Sequence, residues 1–270
     1  MGKTNKTPGL GDRMKDYENV NRFYLTRRMP LVIRIDGRAF HTFCRGLKKP
    51  YDRIFAESMQ ATTLNLCKNI EGCKLAYTQS DEISLLLTDY DELETQAWFD
   101  KNLQKIVSIS ASLATLYFNT SFKDLSEEWW RSNNHLASYI SDEDSKYFET
   151  LCNRKFTATF DSRAFCLPKE EVANYFIFRQ KDATRNSIQS LAQANFSHKA
   201  LHGLSCNMLQ DKLMVEKGIN WNDLDIVKKR GSACIKNYYT ENGKTRSRWL
   251  IDYSMPILTQ DRNYVERFVI

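Results

Sequence analysis

Five prolines and ten glycines in 270 residues are too few to mark a linker, and no repeat of fixed period and no low-complexity tract interrupts the chain. One continuous globular unit is expected, long enough to bury a genuine core. No apolar run reaches the length of a membrane span, and the polar stretch Met1 to Lys15 has no signal-peptide core. These absences predict a soluble, unexported, cytoplasmic protein without membrane partners. The seven cysteines are odd in number, scattered and never spaced as a CxxC pair, so they read as reduced thiols. Neither charge sign dominates: 39 Lys and Arg stand against 33 Asp and Glu, and the net +6 tilts toward an anionic partner without deciding one.

What is present reads as alternating strands and helices. Leu31 to Ile35 (LVIRI) is short, β-branched and mostly apolar, and ends at the strand-breaking pair Asp36-Gly37. Pro50 suits the first turn of a helix over about Tyr51 to Cys67, with Phe55, Met59, Thr62 and Leu66 as its apolar stripe. Lys74 to Tyr77 and Ile83 to Leu87 read as two strands of a hairpin, joined by the polar run Thr78-Gln79-Ser80-Asp81-Glu82. Trp98 to Phe118 is the longest helical candidate, with Trp98, Ile106, Ile109, Leu113 and Leu116 on one side. A fourth strand region spans Phe156 to Phe160 and Ala164 to Leu167, and a helix follows over Lys169 to Arg179. The succession βαββαβ predicts an α+β fold, the ferredoxin-like split βαβ, an antiparallel sheet with two helices on one face, which also builds many nucleotide-polymerising palms. Residues 1–135 would supply the first half of that palm with its metal and nucleotide site. Residues 136–270 would complete it and add a basic helical and β extension that contacts tRNA, the two halves forming one continuous unit.

In that topology Asp36 and the Asp81/Glu82 turn meet at one sheet edge. Magnesium prefers hard oxygen ligands and keeps waters and substrate phosphate oxygens, so Asp36, Asp81 and the Gly37 carbonyl are enough protein ligands. A pair of ions would serve in-line phosphoryl displacement by positioning and charge neutralisation. The plainer reading is a simple turn at Asp36-Gly37 and a solvated hairpin tip at Ser80-Asp81-Glu82. Arg38, His41, Arg45, Lys48 and Lys49 crowd a Gly-punctuated loop that offers donors to a triphosphate or is merely a solvated basic loop, with Phe40 and Phe43 facing inward. Lys101 and Lys105, one helical turn apart, either share a phosphate-facing surface or form a solvated stripe. Arg179, Lys181, Arg185, His198, Lys199 and His202 suit an RNA backbone, and Lys228 to Trp249 mixes basic residues with Tyr238, Tyr239 and Trp249, fit either for stacking bases or for a basic hairpin with core aromatics. Lys244, Arg246 and Arg248 alternate, which on a strand puts them on one face.

Several linked motifs, RIDGRAF at Arg34 to Phe40, KKPYD at Lys48 to Asp52, AYTQSDEISLLL at Ala76 to Leu87, FDSR at Phe160 to Arg163 and FRQKD at Phe178 to Asp182, resemble the tRNA-histidine guanylyltransferase family. The resemblance covers roughly Met14 to Asp211. It implies a polymerase-like palm in which Asp36, the Gly37 carbonyl and Asp81 bind two magnesium ions, with Asp36, Asp81 and Glu82 as the catalytic residues. It carries a nucleotide site over to Asp36, Gly37, Arg38, Ala39, Phe40 and His41, to Lys49 and Asp52, to Ser80 and Asp81, and to Lys105 as a triphosphate contact. Members activate a 5′-monophosphorylated tRNA with ATP or GTP, or start from a 5′-triphosphate. The 3′-hydroxyl of an incoming nucleotide then attacks that end, and pyrophosphate is released in the course of the reaction; a homotetramer is implied too.

Two departures bear on substrate choice. Where the eukaryotic branch carries HINNLYN, this chain has Thr184-Arg185-Asn186-Ser187-Ile188-Gln189-Ser190, and Asn102 stands where an Arg is expected before the helix lysine. The chain therefore looks more like the Thg-like branch, which repairs 5′-truncated tRNAs with nucleotides that pair with the opposite strand. The alternatives are addition of a single G, a palm-type cyclase, and a non-catalytic tRNA-binding protein.

Overall fold

The computed structural model describes residues 9–134 and 141–269. An exposed helix α1 (Leu10–Asn19) leads into β1 (Leu31–Gly37), then the single turn α2 (Phe40–Phe43) and α3 (Arg53–Asn69). β2 (Cys73–Gln79) and β3 (Glu82–Leu87) form a hairpin, followed by the long α4 (Leu103–Asn134), α5 (Asp142–Arg154) and β4 (Phe160–Cys166). Then come α6 (Lys169–Asn195), α7 (His198–Leu201), α8 (Cys206–Lys217), α9 (Ile226–Arg230), the hairpin β5 (Ser232–Glu241) and β6 (Lys244–Asp252), and α10 (Asn263–Glu266).

The sheet runs β4-β1-β3-β2-β5-β6 with every neighbour antiparallel. Its first four strands have the ferredoxin-like order expected from the βαββαβ succession, and the β5–β6 hairpin widens the sheet beside β2. Strand alternation sorts the two faces. Ile33, Ile35, Ile83 and Leu85 pack with Met59, Leu66, Ile106 and Phe118 of α3 and α4. Leu75, Tyr77 and Leu86 turn the other way and meet Val172 and Phe176 of α6, so a third layer covers the second face. β4 and β5, from the second half of the chain, flank strands of the first half, which makes the two halves one sheet.

Local chemistry moved several boundaries. Asp52, whose carboxylate accepts from the Phe55 N–H, caps α3, so the helix starts at Arg53 and Pro50 lies outside it. The hairpin loop is only Ser80-Asp81, because the strands extend through Gln79 and from Glu82. Phe156 sits in a left-handed conformation and is exposed, so the fourth strand begins at Phe160 rather than in two pieces. α4 begins at Leu103, after a turn in which Phe99, Asp100 and Lys101 all have positive φ. Its buried stripe is Ile106, Ser110, Ala114 and Phe118, whereas Ile109 and Leu116 face out, because the small Ser and Ala side chains allow close approach to the sheet. The helix expected to end at Arg179 continues to Asn195 and carries Ile188, Leu191 and Ala192 onto α8. All seven cysteines are free thiols, and among the described residues no helix is long and apolar enough to cross a membrane.

Candidate active site

Three carboxylates stand in one row at the end of the sheet where β1 finishes. Asp36 is directly opposite Glu82 on β3 and Asp161 on β4, and the next row on the same face holds Arg34 opposite Ser84 and Arg163. The Gly37 N–H donates to the Asp81 carbonyl at 3.1 Å, which ties the end of β1 to the hairpin turn. A Cβ on residue 37 would lie 2.4 Å from the Phe40 ring, so only glycine fits here. That ring is anchored among Phe43, Phe118 and Phe160 at centroid distances of 4.9, 5.4 and 5.0 Å. Ala39 and Ser80, on either side of the acids, hold φ of 57° and 54°, a conformation costly for non-glycine residues and common where a site dictates the backbone.

Electrostatically the row is incomplete. Burial, then the charge of Glu82, pushes the Asp36 carboxyl above its ordinary range, and burial does the same to Asp81 against the hydrogen bond it accepts from Ser80 Oγ at 3.0 Å. Two acids raised together are a site short of positive charge. Glu82 is different: its two oxygens accept from Arg34 and Arg179, so it is an anchored anion within the row. Among the described residues no three His, Cys, Asp or Glu side chains are grouped for a metal. Asp36, Asp81 and a backbone carbonyl suit a hard cation that draws its remaining ligands from water and phosphate, which is how magnesium is held.

A cavity of about 590 Å³ opens beside this turn. Exposed His41, Arg45, Lys48, Lys49 and Lys228 surround its mouth together with Ser80 and Asp81, and its floor is formed by buried Met59, Gln60, Thr78 and Ser232. Apolar Phe55 and Ala56 of α3 line one wall and Ser190, Gln193 and Ala194 of α6 the other. A basic mouth over a mixed apolar and polar interior matches a nucleoside triphosphate. Gly231 makes the floor possible: its φ is +81° and an added Cβ would sit 2.4 Å from the Thr78 carbonyl oxygen.

The sequence-predicted residues divide accordingly. Asp36, Gly37, Ser80 and Asp81 gather at the strand ends, with Arg38 and Ala39 exposed beside them and His41 and Lys49 at the cavity mouth. Phe40 borders the cavity, but its ring belongs to the core. Asp52 is likewise engaged: besides capping α3, it accepts from the Lys48 N–H at 2.9 Å and the Tyr147 hydroxyl at 2.7 Å. Lys105 lies at the far end of the sheet. Its neighbour Asn102 bridges Tyr24 ahead of β1, while Asn119, about 20 Å further along the helix, is the residue that bonds Ala158 near the acids. Lys101 does not share its face; it is buried against Asp89 at 3.1 Å. Arg179 is no RNA-facing cation either, since its side chain is 6% exposed and bound to Glu82 and Asp182. Lys181, His198, Lys199 and His202 are exposed, as are Lys244, Arg246, Arg248, Tyr238 and Tyr239 on the β5–β6 hairpin, whose tyrosines are therefore not core. Sequence reasoning missed Gln60, Ser232 and Asp161, which meet the site only through strand pairing and helix packing.

Comparison with known proteins is decisive for the family. The profile described as tRNAHis guanylyltransferase matches residues 11–168, more than half of the chain. The chain belongs to the tRNAHis guanylyltransferase family. A solved bacterial tRNA(His) guanylyltransferase (Thg1)-like protein in complex with ATP is 49% identical, with a TM-score of 0.81 and coverage of 97% of this chain and 99% of that one. A bacterial Thg1-like protein in complex with GTP is 46% identical at a TM-score of 0.76, covering 96% and 98% of the two chains. A probable tRNA(His) guanylyltransferase of Dictyostelium discoideum is 26% identical over 245 residues, 84% of this chain and 85% of its own. As a guanylyltransferase-family member the protein is a nucleotidyltransferase of the Thg1-like kind. In this family member the segment Thr184 to Ser190 lies on α6, and Ser190 borders the cavity, so the departure seen in sequence falls on the cavity wall. Ser187 within it accepts from Trp221 Nε1 at 3.0 Å, donates to the Lys228 carbonyl at 2.7 Å and shares a 2.9 Å hydrogen bond with Tyr51.

The guanidinium of Arg179 ties this helix to the acid row. Arg179→Met should cost about 2–3 kcal/mol in chemical denaturation, because it leaves Glu82 and Asp182 each short of a charged donor. Adding Glu82→Gln to it should recover part of that loss; a simple sum of the two single losses would show that the residues do not act as a pair.

Proposed function

We propose that this protein is a magnesium-dependent 3′-to-5′ nucleotidyltransferase that adds template-paired nucleotides to the 5′ end of truncated tRNA, using ATP or GTP to activate a 5′-monophosphate. The observation that carries the reading is a triphosphate-sized, basic-mouthed cavity lined by Asp81, beside the strand end that bears Asp36, with both carboxyls held above their ordinary range. Asp36, Asp81 and the Gly37 carbonyl would hold magnesium, which when bound neutralises phosphate charge and polarises the reacting phosphoryl group. His41, Arg45, Lys48 and Lys49 bind and orient the triphosphate from the rim, and Arg34 and Arg179 keep Glu82 paired beside Asp36. A 5′-monophosphate oxygen of the tRNA attacks the α-phosphorus of ATP or GTP and pyrophosphate departs. The 3′-hydroxyl of the incoming nucleotide then attacks that 5′ phosphate and displaces AMP or GMP, whereas a 5′-triphosphate end loses pyrophosphate at this second step. The exposed basic and aromatic residues of α7 and the β5–β6 hairpin supply RNA-backbone contacts and stacking surfaces. The replaced HINNLYN segment on the cavity wall supports template-paired repair over obligatory addition of G.

The test is extension at the 5′ end of a 5′-triphosphorylated tRNA lacking its first nucleotide, with magnesium and all four nucleoside triphosphates. Restoration of the pairing nucleotide alone is expected. Addition of G whatever lies opposite would return the single-guanylate activity, and salt-sensitive tRNA binding without any extension would leave a non-catalytic tRNA-binding protein.

A further inference from the structure

The cavity floor carries two polar groups that the protein itself leaves idle. Gln60 is 7% exposed, and its carboxamide has no hydrogen-bond partner among the described residues. Ser232 is 1% exposed, and its Oγ is buried without a partner. A buried hydroxyl without a partner is unfavourable, and a carboxamide that turns to the cavity rather than to the protein gains no bond, so the two groups stabilise nothing in the free protein. Ala56 and Phe55 offer apolar surface to the faces of a flat ring. Asp52, the lining acid nearest α3, already has both oxygens engaged by Lys48, Phe55 and Tyr147. A bound base entering with its phosphates at the basic mouth therefore meets Gln60 and Ser232 at its edge.

Building on the nucleotide reading above, we infer that the Gln60 carboxamide and the Ser232 hydroxyl are specificity-determining groups that read the Watson–Crick edge of the activating purine nucleoside triphosphate, whose base pairs with no template. A carboxamide has an acceptor and two donors side by side, and rotation by half a turn exchanges them. In one orientation it accepts from the adenine amino group and donates to N1; in the other it donates to the guanine carbonyl and accepts from N1–H. The hydroxyl, both donor and acceptor, follows either choice. One cavity thereby accepts ATP and GTP and rejects rings too short to reach the floor.

The experiment is calorimetric titration of ATP and of GTP into the full chain with magnesium, for wild type, Gln60→Glu, Gln60→Leu and Ser232→Ala, with a thermal melt of each nucleotide-free protein. Gln60→Glu keeps the acceptors, loses the donors and faces adenine N1 with a lone pair, so the ratio of ATP to GTP Kd should rise about tenfold or more; Gln60→Leu should weaken both nucleotides about tenfold. Ser232→Ala should weaken both while leaving the nucleotide-free melt equal to or above wild type, which a structural hydroxyl would not do. If wild type binds both nucleotides and all three variants leave the affinities and their ratio unchanged, the floor assignment is overturned and the nucleotide reading stands. If wild type binds neither ATP nor GTP, the nucleotide reading falls and this assignment with it.

Discussion

Asp36→Asn should reduce 5′-end nucleotide addition by about 10³-fold or more, the several kcal/mol expected when a metal-binding carboxylate leaves a phosphoryl-transfer site, and yet raise the thermal midpoint of the free protein. Burial and then Glu82 raise the Asp36 carboxyl above its ordinary range, with Asp161 adding to the effect and Arg34 opposing it. The sign follows from linkage. An acid whose folded pKa lies above its unfolded one favours folding below the unfolded pKa, and that contribution is lost as pH rises through the folded pKa. Near neutral pH wild type therefore bears the charge penalty and the asparagine variant does not. The difference in midpoint should shrink as pH falls below the carboxylate range, where both side chains are neutral. Magnesium should reverse the order near neutral pH, stabilising wild type by mass action and leaving the variant nearly unmoved. Thermal melts at neutral and acid pH, with and without magnesium, read this directly. Normal extension by Asp36→Asn, or a lower neutral-pH midpoint without metal, would sink the assignment of Asp36 as a ligand held ready for a cation.

Lys101→Met should destabilise the fold by about 3–5 kcal/mol, the usual consequence of removing one member of a buried charge pair. The Lys101 side chain is 2% exposed and that of Asp89 5%, at 3.1 Å, a charge contact without hydrogen-bond alignment. The same ammonium donates to the Thr26 and Met29 carbonyls, both at 2.7 Å, while the other Asp89 oxygen accepts from the Arg28 N–H at 2.9 Å. The group therefore clamps the segment entering β1 to the segment leaving β3. Lys105→Met, at an exposed position one turn on, should stay within about 0.5 kcal/mol of wild type. Urea denaturation of the two variants compares them under one protocol, and restoring part of the loss with Asp89→Asn would assign it to the uncompensated carboxylate. A Lys101→Met protein as stable as wild type would show that water reaches the pair.

The contrast between these two lysines shows where sequence reasoning stops. Spacing of four residues promised a shared helical face, but three consecutive positive φ values from Phe99 to Lys101 break the helix and turn Lys101 inward. Left-handed conformations of ordinary residues carry no compositional mark. Arg179 is a similar case: within a basic tract it looks like a solvated cation, and only the packing of α6 on the second sheet face puts it against Glu82.

By itself the sequence determined the βαββαβ order, the strand-end position of Asp36 and the hairpin position of Asp81, because hydrophobic periodicity and turn-forming pairs are local properties. Its linked motifs also pointed to the family, since each keeps its residue types in register. Only the tertiary structure decided that Glu82 is neutralised by two arginines, that Asp161 completes the acid row, that Asp52 is spent on a helix cap, and that Gln60 and Ser232 meet at the bottom of one cavity. Those four outcomes depend on strand register and on helices docked from opposite faces, and the free energy of a charge or an unpaired polar group is set by the neighbours that such docking brings within a few ångströms.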